Sequence, residues 1–170
     1  MVKKVVSVIG GRNCTPKVEQ LAHELGKKLA KVVGILVSGG LGGTMEAVCR
    51  GFKAGGGTTI GILPGYDKTD ANPYVDIAIP TGIGLARNVL VVTSADVVIA
   101  LPGGPGTLSE MAYCLQFGVP VVSLGSWKLD GAVTCRTPAE AAAKAAEILR
   151  TRQTRIPRIL WSKSKNRKRK

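Results

Sequence analysis

Short apolar runs rich in valine and isoleucine alternate along the chain with longer segments whose apolar residues recur every three or four positions. Residues 4–9 (KVVSVI) show the first pattern, which is typical of a strand buried on both faces. The segment after Thr15 shows the second pattern: Thr15 suits a helix N-cap, Pro16 the first helical residue, and Gly34 the helix end. The order of the patterns predicts alternating strands and helices.

The same two patterns repeat along most of the chain. Strands are expected at residues 4–9, 35–38, 58–63, 75–79, 96–101 and 119–124. Helices are expected from Thr15-Pro16 to Gly34, over about 44–54 and 83–93, after the PGGPGT segment, and from Thr137-Pro138 onwards. Apolar strands separated by helices form a parallel sheet covered on both sides. This predicts the α/β class: a single doubly wound, Rossmann-like, mostly parallel sheet flanked by helices.

The length of 170 residues suits one domain with a sizeable core. Residues 1–150 are expected to form the Rossmann-like domain, and residues 151–170 a basic C-terminal tail. No apolar run approaches the ~20 residues that cross a bilayer, and the first residues lack a signal-peptide pattern. We therefore expect a cytoplasmic protein that does not contact membranes.

Cysteine and histidine are too sparse and too widely spaced for a zinc site. The four cysteines, Cys14, Cys49, Cys114 and Cys135, form no CxxC motif and are expected to be reduced and mostly buried. His23 is the one histidine and falls in a helical pattern, where a surface position is expected. We expect no metal site, no required cofactor and no mechanism that uses two histidines.

Three glycine-rich segments directly follow predicted strands: Gly10-Gly11, residues 39–43 and residues 103–106. In a doubly wound fold these loops meet at the carboxyl edge of the sheet, where ligands bind. Glycines there let backbone N–H groups approach a phosphate. Neither GGLGGTME nor PGGPGTLSE contains a Walker A lysine, which excludes a P-loop NTPase, and GGRNCT fits the dinucleotide fingerprint poorly. Glycines that merely allow tight turns are the alternative explanation.

The segment from Ser94 to Pro120 carries a complete PGGxGTxxE motif, made of Pro102, Gly103, Gly104, Gly106, Thr107 and Glu110. This motif resembles the signature of the family long labelled "lysine decarboxylase-like", which includes the LOG cytokinin-activating phosphoribohydrolases and the molybdenum cofactor carrier proteins. The resemblance extends more weakly over residues 4–150, through SGGLGGTMEAV and GLARN. Despite the old family label, nothing in this resemblance suggests a pyridoxal-dependent enzyme.

The resemblance implies a nucleotide-like ligand whose phosphate is held by the PGGxGT loop, with Glu110 and Arg87 acting at the glycosidic bond. It also implies a homodimer or higher homo-oligomer. Three features differ from the LOG enzymes: GGLGGTME replaces a longer glycine loop, Asn88 replaces a lysine after Arg87, and Ser109 replaces a glutamate. These differences bring the chain closer to the uncharacterised and carrier-like branch.

Arg87 and Glu110 are the candidate catalytic residues, each with a structural alternative. Thr107-Leu-Ser-Glu110 also matches a helix capping box, as does Thr137-Pro-Ala-Glu140. Arg87 suits bidentate phosphate binding, or an ordinary surface position. The hydroxyls of Thr44 and Thr107 are expected to cap their helices. The candidate ligand-binding residues are Gly11, Arg12, Asn13, Gly39, Gly40, Gly42, Gly43, Thr44, Asn88, Gly103, Gly104, Gly106 and Thr107.

Positive charge is concentrated at the C-terminus. The chain has 24 Lys and Arg against 11 Asp and Glu, a net charge of +13, and no acidic residue follows Glu147. Residues 162–170 (SKSKNRKRK) are expected to be disordered when alone. They suit contact with a polyanion such as RNA or DNA. A solvated extension that aids solubility is the alternative.

Two functional hypotheses share the phosphate-binding loops. In the first, the protein hydrolyses the N-glycosidic bond of a nucleoside 5′-monophosphate. In the second, it carries or senses a phosphorylated ligand, such as molybdopterin cofactor, without turnover. In a third, weaker hypothesis, the basic tail carries the main function and the protein associates with RNA or DNA.

Overall fold

The computed structural model describes residues 3–151, which form a seven-stranded parallel sheet flanked by helices. The strands are β1 (Val5–Ile9), β2 (Ile35–Ser38), β3 (Thr58–Leu63), β4 (Ile77–Pro80), β5 (Val97–Ala100), β6 (Val121–Leu124) and β7 (Val133–Cys135). The helices are α1 (Pro16–Leu29), α2 (Thr44–Ala54), α3 (Asn88–Thr93), α4 (Pro105–Phe117) and α5 (Pro138–Thr151), with 3-10 turns at Lys68–Asp70 and Gly84–Arg87. The predicted fold class is confirmed.

Helices cover both faces of the sheet, and alternate strand residues pack on opposite sides. In β1, Val6 and Val8 belong to the core formed with α1, α2 and α5. Ile9 of the same strand belongs to the core formed with α3 and α4. Because both faces are apolar, the central strands are mostly apolar runs, and these runs located the strands in the sequence.

The strands run β4-β3-β2-β1-β5-β6-β7 across the sheet, all in parallel. The chain proceeds from β1 outward to β4 and then returns to place β5 on the other side of β1. The loops that follow β1 and β5 therefore lead to helices on opposite faces and leave a crevice between them. This switch point positions the site described below.

The predicted start of the first helix is confirmed, but its predicted end is wrong. Thr15 accepts a hydrogen bond from Val18 N–H, and Pro16 is the first helical residue. The helix stops at Leu29 rather than near Gly34, because Val32 N–H bonds to Leu29 O in a tighter turn. The apolar spacing continues past the end of the helix because Val32 and Val33 still pack against the core.

Two other predicted elements differ from the structure. The helix expected over residues 83–93 is split into the 3-10 turn Gly84–Arg87 and the short α3. Gly82 before the turn and Gly84 at its start both have a left-handed backbone, which an α-helix cannot contain. The strand expected at residues 75–79 begins only at Ile77, because Val75 N–H is bonded in a turn to Asn72 O. Strand β7 was not predicted: its three residues are too few to show a period.

Three of the four cysteines are buried and Cys14 is half-buried, all as free thiols, which confirms the predicted burial. His23 lies partly exposed on α1, with Arg50 Nε 3.5 Å from its Nδ1. Within residues 3–151, no helix is long and apolar enough to cross a bilayer. The tail predicted at 151–170 lies outside the described residues apart from Thr151.

Candidate functional site

A cleft of about 260 Å³ opens at the switch point, between the loops that follow β1, β2 and β5. Its lining includes part of the predicted site: Gly11, Arg12, Gly39, Arg87, Asn88, Gly104, Gly106, Thr107 and Glu110. The expected convergence of the three glycine segments on one crevice is therefore observed.

The remaining predicted ligand-binding residues do not line the cleft: Asn13, Gly40, Gly42, Gly43, Thr44 and Gly103. Several of them hold the loops together. Gly40 N–H donates to Ser38 Oγ at 3.2 Å, and Thr44 N–H donates to the carbonyl of Gly11 at 3.0 Å. Gly43 has a φ of 66°, and a Cβ there would lie 2.0 Å from the carbonyl oxygen of Arg12. These backbone contacts join the first two loops directly.

The N-terminus of α4 faces the cleft with unused backbone donors. Gly104 is the N-cap residue of α4, and no side chain caps the helix. A Cβ added to Gly104 would meet no atom within 4 Å, so the space beside this residue is open. Pro105 has no N–H, and among the described residues the N–H groups of Gly104, Gly106 and Thr107 donate to no protein acceptor. First-turn amides and the helix dipole favour an anion at this position.

The predicted capping roles of Thr44 and Thr107 are wrong. The N-cap residues of α2 and α4 are Gly43 and Gly104, so both threonines lie inside the first helical turn. Thr107 packs instead against the loop before α4, where a Cβ on Gly103 would lie 2.1 Å from the Thr107 hydroxyl oxygen. Glu110 is consequently too far along α4 for a capping box. At α5 half of the predicted box forms: Thr137 Oγ1 accepts from Glu140 N–H at 3.2 Å, while the Glu140 carboxylate accepts from Arg136 N–H, one residue before the cap, at 2.8 Å.

Arg87 and Glu110 form a buried ion pair in the cleft wall. Arg87 Nη1 lies 3.8 Å from Glu110 Oε1, and each side chain is 8% exposed. The same Nη1 donates to Asn88 Oδ1, while the Arg87 Nε is buried and has no hydrogen-bond partner among the described residues. The guanidinium thus retains donor capacity that a ligand oxygen would satisfy.

Burial sets the protonation state of Glu110. It raises the pKa of this carboxyl group to about 7, although the nearby Arg87 charge acts in the opposite direction. Burial also lowers the pKa of Arg87, which nonetheless stays charged at any physiological pH. A carboxyl group that titrates near neutrality can both donate and accept a proton under working conditions.

The Arg87 guanidinium lies against the backbone of the second loop. A Cβ added to Gly39 would come within 2.6 Å of Arg87 Nη2 and 2.7 Å of Met45 Sδ. Glycine at this position therefore allows the guanidinium to sit beside the loop. The backbone of the loop, the Asn88 amide oxygen and Glu110 together hold Arg87 in the cleft wall.

Sequence reasoning missed the apolar part of the cleft. Its lining also includes Val8, Ile9, Leu41, Met45, Pro64, Leu85 and Pro105. Leu85 is 78% exposed and lies two residues before Arg87 in the GLARN segment. Leu41 interrupts the glycines of GGLGG. Apolar residues inside otherwise polar, glycine-rich loops were the available signal. Among residues 3–151, no group of three His, Cys, Asp or Glu side chains is arranged to hold a metal ion.

The fold and the cleft define a doubly wound α/β protein whose candidate site lies at the switch point and uses the loop before α4. A family model describes residues 3–155, and the chain belongs to the SLOG cluster4 family.

The protein is similar to solved structures over nearly the whole of those chains. The molybdenum cofactor binding protein of Rippkaea orientalis is 36% identical, with a TM-score of 0.80 over 88% of this chain and 98% of that one. The molybdenum cofactor carrier protein of Chlamydomonas reinhardtii is 33% identical, with a TM-score of 0.80 over 88% and 99%.

The chain is also similar to a LOG-type protein, but over a shorter part of it. The probable cytokinin riboside 5′-monophosphate phosphoribohydrolase LOGL9 of Oryza sativa is 33% identical over 116 residues. That match covers 65% of this chain and 51% of the rice protein, so the chain spans about half of its length. The predicted resemblance to the LOG family, with a carrier-like branch, is confirmed.

Proposed function

We propose that the cleft binds a small phosphorylated, nucleotide-like ligand, with the phosphate at the N-terminus of α4. The observation that carries this proposal is the group of unpaired donors among the residues that line the cleft. The N–H groups of Gly104, Gly106 and Thr107 lack protein acceptors among the described residues, and the buried Arg87 Nε is also unpaired. A dianionic group supplies several acceptor oxygens at once.

The apolar part of the cleft lining suits the organic part of such a ligand. Leu41, Met45, Pro64 and Leu85 present apolar surface there. The volume of about 260 Å³ lies just below the usual range of about 300–1,000 Å³ for ligand sites, which favours one mononucleotide-sized molecule over a dinucleotide.

The proposed reaction is hydrolysis of the N-glycosidic bond of a nucleoside 5′-monophosphate. A water molecule attacks the anomeric carbon, its proton passes to the Glu110 carboxylate, and the bond to the base breaks with its electron pair on the base. The pKa of about 7 places Glu110 in the range for this transfer. Phosphate binding holds the sugar in position. The similarity to the rice phosphoribohydrolase supports this reaction.

Carriage of molybdopterin cofactor without turnover is the second candidate. It is favoured by the similarity to the two molybdenum cofactor proteins, which extends over almost their full length. Asn88 and Ser109 occupy positions where the LOG enzymes carry lysine and glutamate, which also favours this function. The same amides would hold the phosphate of the pterin, and Arg87 would pair with it.

One preparation of the full chain tests both candidates. We expect free base and ribose 5-phosphate to appear when the protein is incubated with AMP, GMP, CMP or UMP. The matched control is Glu110→Gln, which keeps the shape of the side chain and cannot accept the proton. Mass spectrometry of small molecules retained through purification is run on the same sample.

The results separate the candidates. Base release that falls at least 100-fold in Glu110→Gln supports hydrolysis. No release above the variant, together with a retained pterin, supports carriage. If neither a nucleotide nor a pterin is retained and none of the four nucleotides binds, the proposed ligand class is wrong.

A further inference from the structure

The loop that follows β6 packs against the loop before α4. Trp127 Nε1 donates a hydrogen bond to the carbonyl oxygen of Gly103 at 3.0 Å. Nearby, a Cβ on Gly125 would lie 3.6 Å from Pro102 Cγ, which is van der Waals contact. The Trp127 side chain remains 41% exposed, so burial alone does not account for its placement. Neither Trp127 nor Gly103 lines the cleft.

The three carbonyl groups before α4 are all occupied by donors. The Pro102 oxygen accepts from Gly11 N–H at 3.1 Å, and the Gly104 oxygen accepts from Leu108 N–H at 3.2 Å. The Gly103 oxygen cannot join the helix, because helical bonding begins at Gly104, and Trp127 supplies its donor. A free carbonyl oxygen in this loop would repel an anion.

The trans geometry of the Gly103–Gly104 peptide bond determines where its N–H group points. The described part of the chain contains no cis peptide bond, so the C=O of Gly103 and the N–H of Gly104 point in opposite directions. Gly104 lines the cleft, whereas Gly103 does not. Fixing the carbonyl on Trp127 therefore directs the Gly104 N–H towards the cleft.

A peptide between two glycines needs such a contact. With no side chain on either residue, rotation of the peptide plane meets little steric resistance. The rotated form would turn the Gly103 carbonyl towards the cleft and the Gly104 N–H away from it, replacing a donor by an acceptor. The Thr107 hydroxyl lies where a Cβ on Gly103 would be, so it neighbours the Cα and does not hold the carbonyl oxygen.

We infer that Trp127 is a positioning residue that keeps the Gly104 N–H available to the phosphate of the ligand. This inference rests on the proposed phosphate site. Ser123, which is buried, supports the arrangement from behind: its hydroxyl donates to the Trp127 carbonyl at 3.0 Å and holds the backbone from which the indole projects.

The test is a titration of the full chain with inorganic phosphate, followed by the ¹⁵N–¹H signals of Gly104, Gly106 and Thr107. Trp127→Phe removes the indole donor but keeps an aromatic ring. Replacement of Trp127 by benzothienylalanine removes only the N–H and keeps the indole shape, so it remains informative if the phenylalanine variant folds poorly. Trp161→Phe is the matched control, since it makes the same change at the other of the two tryptophans of the chain.

We expect phosphate to shift all three signals in the unmodified protein and in Trp161→Phe. Both Trp127 variants should raise the Kd for phosphate about three- to tenfold, the effect of one hydrogen bond. The Gly104 signal should move already in their ligand-free spectra. A purely structural role for Trp127 would lower the melting temperature and leave the phosphate Kd unchanged.

Two failures are distinguishable. If the unmodified protein binds phosphate and both Trp127 variants bind it equally well, the positioning role is wrong and the phosphate site stands. If phosphate leaves the three amide signals of the unmodified protein unchanged, the phosphate site itself is wrong, and the role of Trp127 falls with it.

Discussion

Glu110 is buried beside a permanently charged guanidinium, yet burial outweighs that charge and raises the pKa of the carboxyl group to about 7. The pair is separated by 3.8 Å, without the close bidentate contact that makes arginine–carboxylate pairs strong. Two partly satisfied charged groups in one cleft wall cost stability. Such an arrangement is expected where the groups serve a ligand instead of the fold alone.

The pH dependence of stability tests this view of Glu110. Its pKa is higher in the folded chain than the ordinary value of 4.5, so the native state binds more protons between pH 4.5 and about 7. The free energy of unfolding should therefore fall as the pH rises through this window, by on the order of 3 kcal/mol. Glu110→Gln should remove that fall, so the variant gains stability relative to the unmodified protein above pH 7.

Urea unfolding at pH 4.5 and pH 8 measures the difference. Glu24→Gln, on an exposed position of α1, is the control and should change the free energy of unfolding by less than ~0.5 kcal/mol at either pH. If the free energies of unfolding of Glu110→Gln and the unmodified protein differ by the same amount at both pH values, Glu110 does not titrate in this window.

The loop between β2 and α2 supplies one wall of the site through its backbone. It is held from outside by Asn72, whose amide nitrogen donates to the carbonyls of Gly40 and Leu41 at 3.1 and 3.0 Å. Within the loop, Gly39 leaves room for the Arg87 guanidinium. The element thus contributes space and position to the site, and its lining side chains are apolar.

Gly39→Ala should displace Arg87. The added Cβ would come within 2.6 Å of Nη2, and the guanidinium, at the far end of a long side chain, is the group that moves. We expect at least a tenfold loss of affinity for AMP by calorimetry, with a cost of only about 1–2 kcal/mol in the free energy of unfolding.

Gly34→Ala is the matched control, because a Cβ at Gly34 meets no atom within 4 Å. Its affinity for AMP should equal that of the unmodified protein. Equal affinity of Gly39→Ala and Gly34→Ala would mean that Arg87 does not need its present position for binding.

In the whole molecule, excess positive charge is carried mainly by the C-terminal residues. Residues 151–170 contribute nine of the 24 Lys and Arg and no acidic residue. The cleft, by contrast, is lined by residues between Val8 and Glu110, from the carboxyl edge of the sheet and the helices that begin there. A phosphorylated small ligand and a polyanion would then use separate parts of the chain.

Replacing the six Lys and Arg of residues 162–170 by Gln tests this separation while keeping the chain length. Binding of a random single-stranded oligonucleotide should weaken, and the slope of log K against log salt concentration should become shallower by up to about 4. Affinity of the cleft for AMP should not change. An oligonucleotide affinity and salt slope equal to those of the unmodified protein would assign the polyanion contact, if any, to another surface.

Much of the architecture could be predicted because it depends on short-range patterns. Apolar runs marked the central strands, Thr15 and Pro16 marked the start of α1, and glycines marked the loops at the carboxyl edge of the sheet. The errors lie where local spacing and tertiary packing disagree, as at the end of α1 and in the three residues of β7.

The motif residues alone could indicate that Glu110 and Arg87 lie in the same site, but not the geometry of their contact. Local patterns specified an α/β fold with glycine loops at one edge, because helix caps, strand runs and turns depend on neighbouring residues. Contacts between distant segments established the rest: the Arg87–Glu110 pair, the space at Gly39 and the Trp127 bond to Gly103. Each of these contacts joins segments that are distant in the sequence and meet only when the strands assemble in the order of the sheet. The same assembly buries Glu110, and this burial raises the pKa of its carboxyl group.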